Sequence, residues 1–353
     1  MIHRAAAAYV AICSAALAQL PAIAASDPFT PTYAVLDYEG LSGWSADDQQ
    51  AALNVFLNTC GDMKDADWQA ICHLARDSTD HARTFFEMFF APVLIQDGTP
   101  AVFTGYYEPE LDGSNTPSRR FRYPVYAMPP EMESGTPWLT RREIEETGIL
   151  AGRGLEIAWV DDPVELLFLQ IQGSGRIRLP DGNHIRLGYA GNNGQDYSSI
   201  GQEMVRREIY EPHQVSAKVI GNWVKRNPVE GVELLRHNAN YVFFRVLEDV
   251  PPDAGPKGAM NRSITPGRSL AIDPAFIPLG APVWIEKKGF RGMRRLMIAQ
   301  DTGSAIKGPQ RADVFMGTGE GAGREAGRMK DAGRLIVLMP IQRAYAMLIE
   351  DIQ

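Results

Sequence analysis

The chain of 353 residues has few cysteines and histidines and no surplus of positive charge. Lys and Arg number 35 against 43 Asp and Glu, for a net charge of −8. That leaves no basic stripe for nucleic acid or an anionic membrane. The six histidines, at 3, 73, 81, 184, 213 and 237, include no pair at i, i+3 or i+4. No metal site is read from them, and no cofactor is expected. No apolar run reaches the roughly 20 residues a membrane helix needs. The longest such stretch, 5–20, follows Arg4 and precedes Ala22-Ile23-Ala24. It reads as a signal peptide over 1–24, cleaved to release a soluble exported protein. Ile12 stands before Cys13 where a lipid-anchor box would need a small residue.

Export changes the reading of the cysteines. Cys13 leaves with the signal, so Cys60 and Cys72 remain, twelve positions apart. An even pair in an oxidising compartment reads as a disulfide. His73 beside them suggests a partial zinc site, but no fourth ligand is near.

With 45% hydrophobic and 22% charged residues, the composition is that of a folded protein with room for two domains. Helix-spaced apolar residues over 47–59, 65–76 and 80–90 predict a small helical lead-in with Asp or Ser caps. From Ala101 the texture turns to β, beginning with AVFTGYY and broken at Glu108-Pro109. Thr140 is placed to cap a short helix over 141–147. The run 164–172 reads as a buried strand, and 176–179 and 184–189 as a hairpin across Pro180-Asp181-Gly182-Asn183. Helices are expected around 200–208, 216–225 and 228–237. Short strands then follow at 241–247, 269–272, 281–286 and 295–300, with no helix between them for a crossover. That pattern predicts a closed or partly closed β-barrel.

Chemistry concentrates in 295–333. An apolar strand ends at Asp301, turns through Gly303 and Gly308, and is followed by Asp313 between Ala312 and Val314. Four readings compete. GxGxxA at 321–326 suggests a nucleotide loop, but only 27 residues follow, too few for a βαβ unit and its acid. Asp301-Thr302-Gly303 suggests an aspartic protease, which needs a second such aspartate. Two nearby acids suit glycan cleavage, in which a departing glycosidic oxygen must be protonated. Asp313, in an apolar setting, is the candidate for the raised pKa. Asp301, in a turn with Thr302 and the backbone amides of Gly303 and Ser304, is the one expected to stay ionised. The fourth reading is a wall-binding protein without catalysis.

Aromatic and amide clusters favour sugar. Tyr106 and Tyr107 with Glu108 end one strand. Gln170 and Gln172, two apart on the expected strand, precede Gly173-Ser174-Gly175. Tyr189, Asn192, Asn193, Gln195 and Tyr197 crowd one turn. Flat rings and planar amides are what saccharides stack and bond upon.

FTGYYEP (103–109), LQIQGSGRI (169–177), GYAGNNGQDYSSIG (188–201), NANYVFFR (238–245), LAIDPAFIPLGAPVW (270–284) and AQDTGSAIKG with ADVFMGTGEGAG (299–323) together resemble the membrane-bound lytic murein transglycosylase A family, with its MltA and 3D domains. The resemblance implies a mainly β fold with peripheral helices: a double-psi β-barrel domain with a second, inserted β-barrel-like domain and a glycan groove between them. With the helical lead-in, which lies outside the resemblance, the expected domains are the lead-in and first barrel part over 25–105, the insert over 106–246 and the catalytic barrel over 247–353. The implied activity is that of a peptidoglycan lytic exotransglycosylase, a lyase leaving 1,6-anhydro-MurNAc ends in cell-wall turnover. Asp313 matches the family's catalytic aspartate, with Asp301 in support. Thr104, Tyr106, Tyr107, Gln170, Gln172, Ser174, Tyr189, Asn192, Gly303 and Lys307 are the expected substrate-binding residues. The expected partners are peptidoglycan strands and other cell-wall synthesis or hydrolysis enzymes, with no nucleic acid. The expected location is the periplasm or the outer-membrane periphery. The sequence departs from the family pattern at Ser304, where a second glycine is commoner, and in lacking the lipid-anchor box.

Overall fold

A computed structural model describes residues 31–350 apart from 79, 80 and 290, so the expected signal peptide and Cys13 lie outside the described residues. The fold is mainly β, in two sheets with helices at their edges.

The larger sheet has nine strands, ordered Thr32–Val35, Phe90–Gln96, Gly333–Pro340, Pro282–Lys287, Met293–Thr302, Ser269–Ile272, Arg311–Thr318, Val102–Glu108 and Lys330–Asp331. It curls onto itself. Asp331 pairs with Phe103 on the far strand, the next carbonyl, of Ala332, accepts from Lys288 N–H, and Gly333 pairs with Lys287. Two parallel pairings interrupt an otherwise antiparallel sheet. Ser269–Ile272 runs with Met293–Thr302, and Val102–Glu108 with Arg311–Thr318. Burial follows from the curl. In Pro282–Lys287 the first four residues are all buried, the mark of a strand covered on both faces.

The helical lead-in closes one side of this sheet. Asp48 accepts from Ala51 N–H to start Gln49–Thr59, and Asp65 accepts from Asp67 N–H to start Ala66–Asp77. Their apolar faces, with Phe56, Trp68, Phe85 and Phe86, join Phe90, Trp284 and Leu338 in one core. Cys60 and Cys72 are joined as a disulfide across the turn between these two helices.

The second sheet, of six strands, is built from the chain between Glu110 and Val246 and has its own core around Val125, Leu169, Ile177 and Phe244. One expectation fails here. Residues 164–172 do not form a strand but most of the helix Pro163–Gln172. Asp162 accepts from the amides of Val164 and Glu165, Pro163 opens the first turn, and Gly173 ends it at φ 75°. Those end signals decide the structure. The apolar run that looked like a strand is a helix buried nearly all round. By contrast, Thr140 and Glu143 form a reciprocal capping box, and the helix Arg141–Thr147 lies where the sequence places it.

Candidate active site

Three adjacent strands bring the two acids to one level. Ala271 pairs with Asp301 on one side and with Asp313 on the other, and Asp313 pairs in turn with Thr104. Paired residues face the same side of a sheet, so Asp301, Ala271, Asp313 and Thr104 form a row. Two strand spacings put the aspartate Cα atoms about 10 Å apart. Ala271 between them is small and buried, in an apolar cluster with Tyr106, Ile264, Ile306 and Phe315.

Each carboxyl is half-buried and held differently. Asp313 Oδ1 accepts from Thr104 Oγ1 at 2.7 Å. Arg311 Nη2 donates to the same Thr104 oxygen at 2.8 Å. With its acceptor side taken by the guanidinium, the threonine hydroxyl points its proton at Asp313. Asp301 Oδ2 accepts from the Tyr106 hydroxyl at 2.9 Å, and its Oδ1 from the amides of Ala259 and Thr302 at 2.9 Å each. Tyr106 is itself buried against Phe315 and keeps its proton, because burial and the Asp301 charge push its pKa up.

Neither acid has a cation directly on it. Burial raises both pKa values to about 6, against the hydrogen bonds that favour ionisation; at Asp313 the nearby Arg311 charge also pulls down and the Asp301 charge pushes up. Two expectations need correction. The donors to Asp301 are Tyr106, Ala259 and Thr302, not the amides of Gly303 and Ser304. Asp301 is also not held ionised cheaply, since burial outweighs its donors. Asp301 accepts three hydrogen bonds and Asp313 one, and both carboxyls are pushed up to about 6.

The other expected residues divide into groups. Thr104 and Tyr106 touch the acids. Tyr107 lies alongside, with its amide donating to Gln172 Oε1 at 3.0 Å and its ring so close to Gly323 that a Cβ there would lie 2.8 Å away. The glycines that suggested a nucleotide loop therefore admit this ring and begin the helix Gly319–Ala326. Gln170 is a correction. It is buried, accepts from Arg141 Nη2 at 2.7 Å and donates to the Val242 carbonyl at 3.3 Å, inside the insert. On a helix, Gln170 and Gln172 no longer share a face. Ser174 is buried too. Tyr189 is exposed, and its hydroxyl accepts from Asn192 Nδ2 at 2.7 Å. Gly303 and the exposed Lys307 lie in the turn after Asp301. Asp273 anchors that turn, with Oδ2 accepting from Gly308 N–H at 2.9 Å.

Glu108 joins the two sheets. Fully buried, it accepts from Arg176 at 3.0 Å and from Arg186 at 2.9 and 3.0 Å, both on the insert, and from Thr318 Oγ1 at 2.7 Å on the barrel. Sequence reasoning missed Arg311 and Ala259. Arg311, two residues before Asp313, was within reach through strand alternation. Among the described residues no group of three His, Cys, Asp or Glu side chains is placed to hold a metal ion.

A curled mixed sheet with a row of two acids outside any ion pair among the described residues, coupled to an inserted second sheet, defines a two-sheet β protein with a carboxylate site. Residues 102–245 match the family model of the MltA specific insert domain, and 268–339 that of the 3D domain. The chain is 34% identical over 261 residues to the membrane-bound lytic murein transglycosylase A of Vibrio cholerae, covering 70% of this chain and 68% of that one. The Escherichia coli K12 protein of that name is 34% identical over 246 residues, or 67% and 65% of the two chains. Aligned sequence thus spans about two thirds of these relatives. Among solved structures, MltA from Neisseria gonorrhoeae superposes with a TM-score of 0.76 at 32% identity, covering 90% of this chain and 94% of that one. The membrane-bound lytic murein transglycosylase from Agrobacterium tumefaciens gives 0.78 at 31%, covering 90% and 99%. Escherichia coli MltA with bound chitohexaose gives 0.68 at 27%, covering 83% and 90%. The chain belongs to the membrane-bound lytic murein transglycosylase A family.

Proposed function

We propose that this protein is a lytic transglycosylase that cleaves the MurNAc–GlcNAc β-1,4 bond of peptidoglycan without water. The observation that carries the reading is the asymmetry of the acid pair: Asp313 with one donor and a pKa of about 6, beside Asp301 with three donors. In this mechanism the singly protonated pair carries its proton on Asp313 and its charge on Asp301. Asp313 then gives its proton to the glycosidic oxygen as the C1–O4 bond breaks. The negative Asp301 stabilises the positive charge growing at C1. The muramoyl C6 oxygen bonds to C1, and its proton passes to Asp313, which ends the cycle as it began. Thr104 holds Asp313 in line, with Arg311 behind it.

The glycan strand lies between the two sheets, over Tyr106, Tyr107, Gln172, Gly303 and Lys307 near the acids and Tyr189 and Asn192 on the insert. In this reading the chain between Glu110 and Val246 is the inserted glycan-binding domain, and the larger sheet with its helices the catalytic body. The expected boundary at 106 moves to about 109, because residues 106–108 belong to the strand Val102–Glu108 of the larger sheet. The relatives named membrane-bound and the sequence of residues 1–24 support action in the periplasm or at the outer-membrane periphery. No helix among the described residues is long and apolar enough to cross a membrane.

Mass spectrometry of products released from purified sacculi tests the reaction class. The expected product ends in 1,6-anhydro-MurNAc. A product one water heavier, with a reducing MurNAc end, would make the protein a hydrolase instead.

A further inference from the structure

The hairpin that supplies Ala259 N–H to Asp301 is a short, exposed segment. Lys257 bridges to Ser263, Gly258 N–H donates to the Arg262 carbonyl at 3.0 Å, and Asn261 sits at φ 56°. Its inner edge presses on the site. A Cβ on Gly258 would lie 2.7 Å from the Gln300 carbonyl oxygen and 3.3 Å from Asp301 Cγ. Met260 N–H donates to that same carbonyl at 3.3 Å. On its outer side Met260 is packed against the main core and also lines an open cavity of about 460 Å³ shared with Met63, Trp68 and Leu279.

Besides a 3.4 Å bond from Arg245 Nη2 to Asn261 Oδ1, the hairpin's polar tether comes from the helical lead-in. Arg262 donates from Nε and Nη2 to the two oxygens of Asp62, at 2.5 and 3.0 Å. Asp62 ends the 3-10 turn that begins at Cys60, and the Cys60–Cys72 disulfide anchors that turn to the next helix. A second tether reaches the other flank of the acid. Gln300, just before Asp301, donates from Nε2 to Thr59 Oγ1 at 3.0 Å and accepts from Ser269 Oγ, all buried. Two routes therefore run from four consecutive residues, 59–62, to the two sides of one carboxylate.

We infer that the disulfide-anchored turn 59–62 is a positioning element for Asp301, acting through Arg262 on the hairpin and through Gln300 on the strand. The inference rests on the role proposed for Asp301 above. The arginine pair is half-exposed, so it adds little to global stability. Its value is geometric: a bidentate fork holds the hairpin at one distance from the acid. Among the described residues, the groups that bear on the Asp301 charge are Tyr106, Asp313 and the amides of Ala259 and Thr302. Tyr106 comes from one strand and Asp313 from another, while the hairpin offers only an amide, because Lys257 turns to Asp249 and Arg262 to Asp62.

Loss of the fork loosens the Ala259 hydrogen bond to the ionised form, so Asp301 takes up its proton at higher pH. Arg262→Gln and the milder Asp62→Asn are therefore expected to move the acidic limb of the pH–rate profile on sacculi upward by about half a unit. The maximal rate should fall about three- to tenfold, with half-saturation by substrate unchanged and Tm nearly unmoved. Arg262→Lys should retain part of the rate, and the charge swap Asp62→Arg with Arg262→Asp should recover more than either single change. Asp301→Asn is the control. If it inactivates while Arg262→Gln and Asp62→Asn keep the wild-type profile, the positioning role is overturned. If Asp301→Asn is itself fully active, the proposed role of Asp301 falls, and this inference with it. A loss of rate in step with a loss of Tm, with no shift of the acidic limb, would also overturn it.

Discussion

Two parts of the molecule bury acids in opposite ways. At the junction of the sheets, Glu108 is fully enclosed and met by two arginines and a threonine. Two and four residues earlier on the same strand, Tyr106 and Thr104 serve acids that accept from neutral donors and form no ion pair. A buried carboxylate whose charge is matched by arginines, one of them bidentate, is architecture, since removing either partner strands a buried charge. A buried carboxylate held only by neutral donors keeps a pKa near the working pH, and can give up and regain a proton. One strand, Val102–Glu108, carries the partners of both kinds, so the site and the domain junction share a single rigid element.

The comparison breaks most visibly at Glu108. Glu108→Gln leaves Arg176 and Arg186 buried without a counter-charge, and unfolding stability is expected to fall by about 3 kcal/mol. Chemical denaturation measures it, and an unchanged midpoint would mean the arginines find other partners. At the acids the same kind of change acts on rate and not on fold. Thr104→Val removes the one donor to Asp313, so its pKa rises above about 6 and the basic limb of the pH–rate profile moves up. The rate at the optimum should drop about tenfold as the carboxyl loses its alignment. A basic limb that stays in place would show that Thr104 does not set the acid.

Much of this was legible in the sequence, for reasons that differ by element. Thr140 with Glu143 announces a helix start, because the two side chains cap each other within one turn. Asp301 at the end of an apolar strand, and Asp313 flanked by buried residues, stand out because acids rarely occupy such places without purpose. The run 164–172 misled because a helix buried nearly all round loses its 3.6-residue period, and its end signals at Asp162, Pro163 and Gly173 outweigh the run. Gln170 was misassigned for the same reason. Ala259 was illegible, since a backbone amide has no residue-type signature. The bond from Arg311 to Thr104 spans 207 positions of sequence and exists only once parallel strands meet.

Thermal stability of Asp313→Asn against wild type at pH 7.5 and pH 4 is the measurement that separates the two kinds of acid most directly. A carboxyl whose folded pKa is raised from 3.8 to about 6 favours the folded state below pH 3.8, and that advantage is lost as pH rises toward 6. At pH 7.5 the wild type holds a charge that burial disfavours, and the neutral amide does not. The expected result is an inactive variant more stable than wild type by on the order of 1 kcal/mol at pH 7.5, with the gain gone near pH 4. A variant less stable than wild type at pH 7.5 would mean that Asp313 is a structural partner like Glu108, and would contradict its part in the chemistry.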